Sequence, residues 1–188
     1  MKTKIKAEIM DQAAIERSLR RIAHEIDEQE REAKGYLILG IPRRGISLAK
    51  RIADNLRQIS DKPVSTGHLD VRFYRDDRTG EEGVPEVSMT DLPEDGTENQ
   101  LVIIVDDVIF TGRTARAAME AVINEGRPSA IRLATLIDRG HREMPIRPDF
   151  VGKNVPTSRN EEIQVQVPEY DEDFRVILVE KEDRNESK

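Results

Sequence analysis

Apolar residues fall along the chain in two patterns, and their alternation predicts an α/β fold. Over residues 12–30, Ile15, Leu19, Ile22, Ala23 and Ile26 recur at helical spacing and share one face. Residues 36–39 are a short apolar run that reads as a buried strand. A helix follows it, with Ile46, Ala49, Ile52, Ala53 and Leu56 inward. Over 63–75, Leu69, Val71 and Phe73 alternate with His68, Asp70 and Arg72, the period of a strand. Residues 101–105 form an apolar run buried on both faces, and an Ala-rich helix then runs to about Glu125. Gly126 suits its end and Pro128 forbids continuation. Further strands are expected over 130–137, 161–167 and 174–180. The pattern gives a mostly parallel sheet of about five strands with helices on both faces, plus small additional β segments.

The loops leaving three of these strands carry the chemistry. Asp106 and Asp107 stand at the carboxyl end of the 101–105 strand, where open α/β sheets place ligands. Thr111, Gly112, Arg113 and Thr114 then open a helix. Helix-terminal amides with hydroxyls beside them make a phosphate cradle. After residue 39, Gly40 and Gly45 bracket a tight turn that carries Arg43 and Arg44. Glycine lets backbone approach a ligand closely, and arginine suits diphosphate oxygens. The loop after residue 137 is expected to converge on the same crevice.

The segment 101–119 resembles the 5-phosphoribosyl-1-diphosphate (PRPP) signature of the type I phosphoribosyltransferases: an apolar strand, two acids, then Thr-Gly-x-Thr. The bland alternative is a strand–loop–helix whose acids merely cap the helix. The turn at Arg43 and Arg44 resembles the diphosphate loop of the same family, which implies a non-proline cis peptide there. The resemblance implies PRPP and UMP binding by Arg43, Arg44 and the run Asp106, Asp107, Val108, Ile109, Phe110, Thr111, Gly112, Arg113 and Thr114. Asp106 and Asp107 take the catalytic part, holding the ribose hydroxyls and favouring a cationic ring. Phe110 fits core packing as well as a wall of the site. Mg²⁺ is the implied cofactor, held mainly by the diphosphate and ribose of the substrate.

Composition adjusts this picture. At 188 residues the chain is expected to be one domain, 1–182, with a polar tail at 183–188. It has no run of about eighteen apolar residues, so no membrane span is expected. The basic start has no apolar segment behind it, as a secretory signal would need. The absence of cysteine removes disulfides, thiolate zinc sites and cysteine nucleophiles, and a cytoplasmic protein fits. Net charge is −7, which at first opposes a nucleic-acid partner. Yet residues 76–99 hold −8 and residues 161–188 hold −6, so everything else carries +7. A basic body with two acidic appendages is a different electrostatic object from a uniformly acidic one.

The long polar stretch 76–99 reads either as a lid or as a harmless insertion. The family resemblance implies a flexible loop that closes over the active site, with Arg75 at its start. Arg17, Arg20, Arg21 and His24 form a stripe opposite the apolar face of the first helix. Taken alone, that stripe is a solvated face balanced by Glu16, Glu25 and Glu28.

The last third selects the acceptor base. Asp138-Arg139-Gly140-His141-Arg142-Glu143 and Gly152-Lys153-Asn154-Val155-Pro156-Thr157-Ser158 resemble the PyrR family of pyrimidine operon regulators with uracil phosphoribosyltransferase activity. So do Arg20-Arg21-Ile22-Ala23-His24-Glu25 and Tyr74-Arg75-Asp76-Asp77, so that only the variable loop and the tail escape the resemblance. It implies an enzyme making UMP from uracil and PRPP, with Arg139 presenting the base. It also implies a homodimer or higher homo-oligomer that binds a hairpin in pyrimidine-gene mRNA when UMP is present. Positions matching the family's RNA face are Arg20, Arg21, His24, Arg142, Arg147 and Lys153. With basic residues in two separate segments, phosphate contact becomes the expected role of the stripe. Aromatics are few, so recognition by shape and backbone is expected rather than base stacking. Two alternatives stay open: a regulator with little turnover, and a hypoxanthine/guanine transferase, whose base-binding stretch Asp149-Phe150-Val151-Gly152 also resembles. Whether regulation works through transcription attenuation or translation is not written in the sequence.

Overall fold

The apolar run at 101–105 becomes the middle of a five-stranded parallel sheet. The structure, a computed structural model, describes residues 3–72, 90–94 and 96–181. In chain order the elements are β1 (Thr3–Met10), α1 (Gln12–Gln29), β2 (Tyr36–Gly40), α2 (Arg44–Ile59), β3 (Val64–His68), β4 (Leu101–Ile109), α3 (Arg113–Asn124), β5 (Ala130–Asp138), β6 (Phe150–Asn154), β7 (Glu161–Gln166) and β8 (Arg175–Lys181). The main sheet has the order β3-β2-β4-β5-β6 with every pairing parallel. A second, antiparallel sheet has the order β1-β8-β7.

Alternation along β4 divides the interior in two. Ile103 and Val105 pack with α1, α2 and the inner residues of β7 and β8, such as Val165 and Val176. Val102 and Ile104 pack with the alanines of α3. Both faces of β4 are covered, which is why the run is continuously apolar. Helix α1 starts where Asp11 accepts the Ala14 N–H at 2.8 Å and buries the five residues its spacing selects.

Three expectations change. The strand over 63–75 ends at His68, with Leu69 and Val71 still buried beyond it; Phe73 lies outside the described residues. The described residues of 76–99 are tethered to the body: His68 bridges Asp91, and Thr97 is fully buried with its hydroxyl donating to the Val122 carbonyl. Residues 76–89 of the expected lid, Arg75, and the tail 183–188 lie outside the described residues. Two strands also exceed the expectation. β6 closes the parallel sheet, and β1 joins β8 in the second one.

The chain turns from β2 to β3 on one side, then returns through β4 to β5 on the other. That reversal between β2 and β4 is where loops diverge and leave a crevice. The β1-β8-β7 sheet stands beside this crevice as a hood, with β7 at its free edge.

Candidate active site and nucleic-acid face

Two clefts flank the carboxyl end of β4, and Val108 lines both. The first, of about 330 Å³, is bounded by Asp106, Val108 to Ala115, and Glu143. It lies over the start of α3. Gly112 has φ of +92°, a conformation that a side chain would strain, and this turn aims the chain into the helix. The first intrahelical bond runs from the Arg116 N–H to the Gly112 carbonyl at 3.0 Å. The amides before it have no partner within the helix. Thr114 and Ala115 belong to the cleft wall, so a dianion there meets amides, hydroxyls and the positive end of α3. Arg113 reaches across to Glu143, Nε to carboxylate, at 2.8 Å.

The second cleft, of about 360 Å³, lies between β4 and the hood and is bounded by Arg44, Asp107, Val108 and Glu162 to Val165. Adjacent strand residues point to opposite faces, so the acid pair is divided. Asp106 is buried and borders the first cleft, while Asp107 borders the second. Each carboxylate accepts the next backbone N–H: Asp107 N–H to Asp106 at 3.0 Å, Val108 N–H to Asp107 at 2.8 Å. Burial pushes the Asp107 carboxyl above its ordinary range, against the lowering effect of the Val108 N–H, Asp106 and the Arg44 charge.

The turn after β2 places its arginines differently. Arg43 is exposed and its peptide bond with Pro42 is cis, where the family resemblance implied one. Gly45 is required by closeness: a Cβ there would lie 2.6 Å from the Val105 carbonyl oxygen. Arg44, half-buried, forks onto Asp171 of the hood, Nε and Nη2 donating at 3.1 and 2.9 Å.

The loop after β5 folds onto the loop after β4, as convergence required. The Thr111 carbonyl accepts the N–H groups of Glu143 and Met144 at 2.9 and 3.1 Å. Arg139 is buried. It donates to Thr157 Oγ1 at 2.9 Å and to the Glu161 carbonyl at 2.7 Å, and lies 4.1 Å over the Phe110 ring. It clasps the segment before β7 to the β4 loop rather than pointing into either cleft. Phe110 is partly exposed, held between Arg139 and the His141 ring.

The six expected RNA contacts separate into two groups. Arg20, Arg21, His24, Arg147 and Lys153 are exposed, and Arg142 is half-buried. Arg21 ties α1 to the edge strand β6, donating to the Val151 and Gly152 carbonyls at 3.0 and 2.7 Å. That contact joins the first helix to the strand bearing Lys153. Arg142 is turned into its own loop, bonded to Asp138, Ile146 and Phe110, so its guanidinium shapes the site wall.

The sequence reading missed Asp171, Glu162 and Gln164. The strand expected over 161–167 carries no sign in its sequence of its place beside Asp107.

A family model described as a phosphoribosyl transferase domain matches residues 6–173. The chain is 53% identical over 178 residues to the "Bifunctional protein PyrR" of a Thermoanaerobacter species, covering 95% of this chain and 99% of the relative. The PyrR protein of Bacillus subtilis is 49% identical over 179 residues, covering 94% and 98%. The chain belongs to the PyrR family. Among solved structures it is similar to the hypoxanthine phosphoribosyltransferase of Trypanosoma cruzi, with TM-score 0.70, 14% identity and coverage of 95% and 98%. A hypoxanthine-guanine phosphoribosyltransferase from Bacillus anthracis gives TM-score 0.68 at 16% identity, covering 95% and 99%. At that identity the likeness is one of fold. Sequence sets this chain with the PyrR proteins, and the type I phosphoribosyltransferase architecture is common to both groups.

Proposed function

We propose that the chain transfers the phosphoribosyl group of PRPP to uracil and, with UMP bound, holds an RNA hairpin from pyrimidine genes. The observation that carries this reading is the pair of clefts joined at Val108, in a chain about half identical to PyrR proteins. The first cleft takes the 5-phosphate on the amides and hydroxyls of Thr111 to Thr114. Asp106 holds ribose hydroxyls at the strand end. The second cleft takes the base against Val108. β7 is the free edge of its sheet, so alternate backbone N–H and C=O groups point away from β8. The N–H and carbonyl edge of a pyrimidine dione matches such a backbone edge. Asp107 stands beside that edge with a carboxyl that readily takes a proton, and so suits removal of the proton from uracil. Arg43 supplies positive charge for the diphosphate.

Mg²⁺ fits the same residues. It binds through one or two carboxylates together with substrate phosphates, and Asp106 is the carboxylate that borders the phosphate cleft. When bound, it draws charge from the departing diphosphate.

RNA phosphates are met by Arg20, Arg21 and His24 of α1 with Lys153 of β6, and by Arg147 on the neighbouring loop. No helix among the described residues is long and apolar enough to cross a membrane. We place the protein in the cytoplasm, as a homodimer or larger assembly that sedimentation would size.

Asp106→Asn combined with Asp107→Asn is expected to abolish UMP formation from uracil and PRPP; retained turnover sinks the enzyme assignment. A gel shift with a pyrimidine-leader hairpin is expected to tighten when UMP is added. If UMP leaves the shift unchanged, the regulatory half fails.

A further inference from the structure

The Arg44–Asp171 contact lies outside the roles assigned so far, and it joins two parts of the site that are far apart in the chain. Arg44 begins α2 immediately after the turn from β2. Asp171 lies in the connection between β7 and β8. Its carboxylate makes three bonds: it accepts Arg44 Nε at 3.1 Å and Nη2 at 2.9 Å, and the Val167 N–H at 2.9 Å. Val167 directly follows β7, and its carbonyl takes the Asp171 N–H in return at 2.7 Å. One carboxylate therefore fixes the end of β7 to the start of α2. A two-point fork also fixes orientation, which a single ammonium contact does not.

Arg44 and Glu162 to Val165 face each other across the second cleft. We infer that Asp171 is a positioning residue for the acceptor base: through Arg44 it sets the free edge of β7 at its distance from Asp107 and Val108. The inference rests on the assignment of that cleft to the base. Small misplacements of a binding edge cost affinity steeply, because each hydrogen bond lengthens together. A second contact supplies the control. Arg51, seven residues on along α2, pairs with Glu169 of the same connection at 3.0 Å and lies 4.6 Å over the Phe174 ring. Glu169 touches neither Val167 nor Arg44 among the contacts described, so it docks the connection without fixing β7.

The test is calorimetric binding of UMP and of ribose 5-phosphate, which lacks the base. Asp171→Asn is expected to weaken UMP at least tenfold and to leave ribose 5-phosphate unchanged. Asp171→Glu should recover part of the loss. Glu169→Gln should alter neither ligand. If Asp171→Asn does not fold, Arg44→Lys reads the same effect, since it keeps the charge and loses the fork. Equal weakening of both ligands, no weakening of UMP, or the same loss in Glu169→Gln overturns the inference. A wild-type protein that binds ribose 5-phosphate as tightly as UMP overturns the base assignment itself and the inference with it.

Discussion

Asp107 and Arg139 each carry an ionisable group whose charged form burial disfavours. The Asp107 carboxyl is raised by burial, so the native state holds its proton more tightly than the unfolded chain does. Stability is therefore lost as pH rises from the ordinary carboxyl value of 3.8 through the native one, and remains lower above it. Asp107→Asn removes that cost. Its melting temperature at pH 7 is expected to rise by a few degrees while UMP formation is lost; a fall in melting temperature would contradict the sign. Arg139 is the reverse case, a buried cation kept by the oxygens it satisfies. Arg139→Met preserves bulk but strands the Glu161 and Ser158 carbonyls. Denaturant unfolding should show a loss of about 1–3 kcal/mol, the cost of an unsatisfied buried group. The segment Asp106 to Thr114 was legible as the end of a strand, a turn and a helix start, which is how it folds. The partners of Arg139 were not legible, since nothing in a sequence tells which oxygens a guanidinium will find.

At the scale of elements, the apolar pattern found the amphipathic helices and the fully buried strands, and missed β1, whose pairing is irregular, and the short β6. α1 matched its expected span to within a residue because its caps and apolar face agree. β1 was missed although Ile5, Ala7 and Ile9 alternate with Lys4, Lys6 and Glu8. Its pairing with β8 slips between Ile5 and Ala7 and again between Glu8 and Met10, and Ile5 ends up exposed. The hood contact has its own pH signature. Burial raises Asp171, but the Arg44 bonds and the Val167 N–H outweigh it and hold the carboxyl below its ordinary 3.8. Its stabilisation is complete above that value and is lost as pH falls through the native one. The melting-temperature gap between wild type and Asp171→Asn should therefore close in acid and stay open at neutral pH. A gap that widened in acid would refute the pairing.

Across the whole molecule, charge is segregated rather than averaged. The +7 body and the acidic segments are distinct in sequence, and α1 meets β6 so that Arg20, Arg21, His24 and Lys153 belong to neighbouring elements. Binding through such a face should weaken steeply with salt. Lys153→Ala is expected to reduce the slope of log affinity against log salt by about 1, the effect of one phosphate contact. Arg142→Ala should leave that slope nearly unchanged and instead lower thermal stability and UMP formation, because its guanidinium holds Asp138, Ile146 and Phe110. Equal slopes for the two variants would place Arg142 on the RNA face after all.

The pairing of β1 with β8 also sets an order of events. Met10 finds its partner Val176 only after the intervening chain has been made, whereas β2, β4 and β5 lie closer together in sequence. Contacts of such long sequence separation form late, because loop-closure entropy must be overcome first. On the ribosome, the parallel sheet and the turn before α3 can assemble while β1 waits unpaired. A nascent chain stalled before β8 emerges would then hold the turn at Gly112 with no β1-β8-β7 sheet beside it, and the second cleft would gain its far wall only with the final strand.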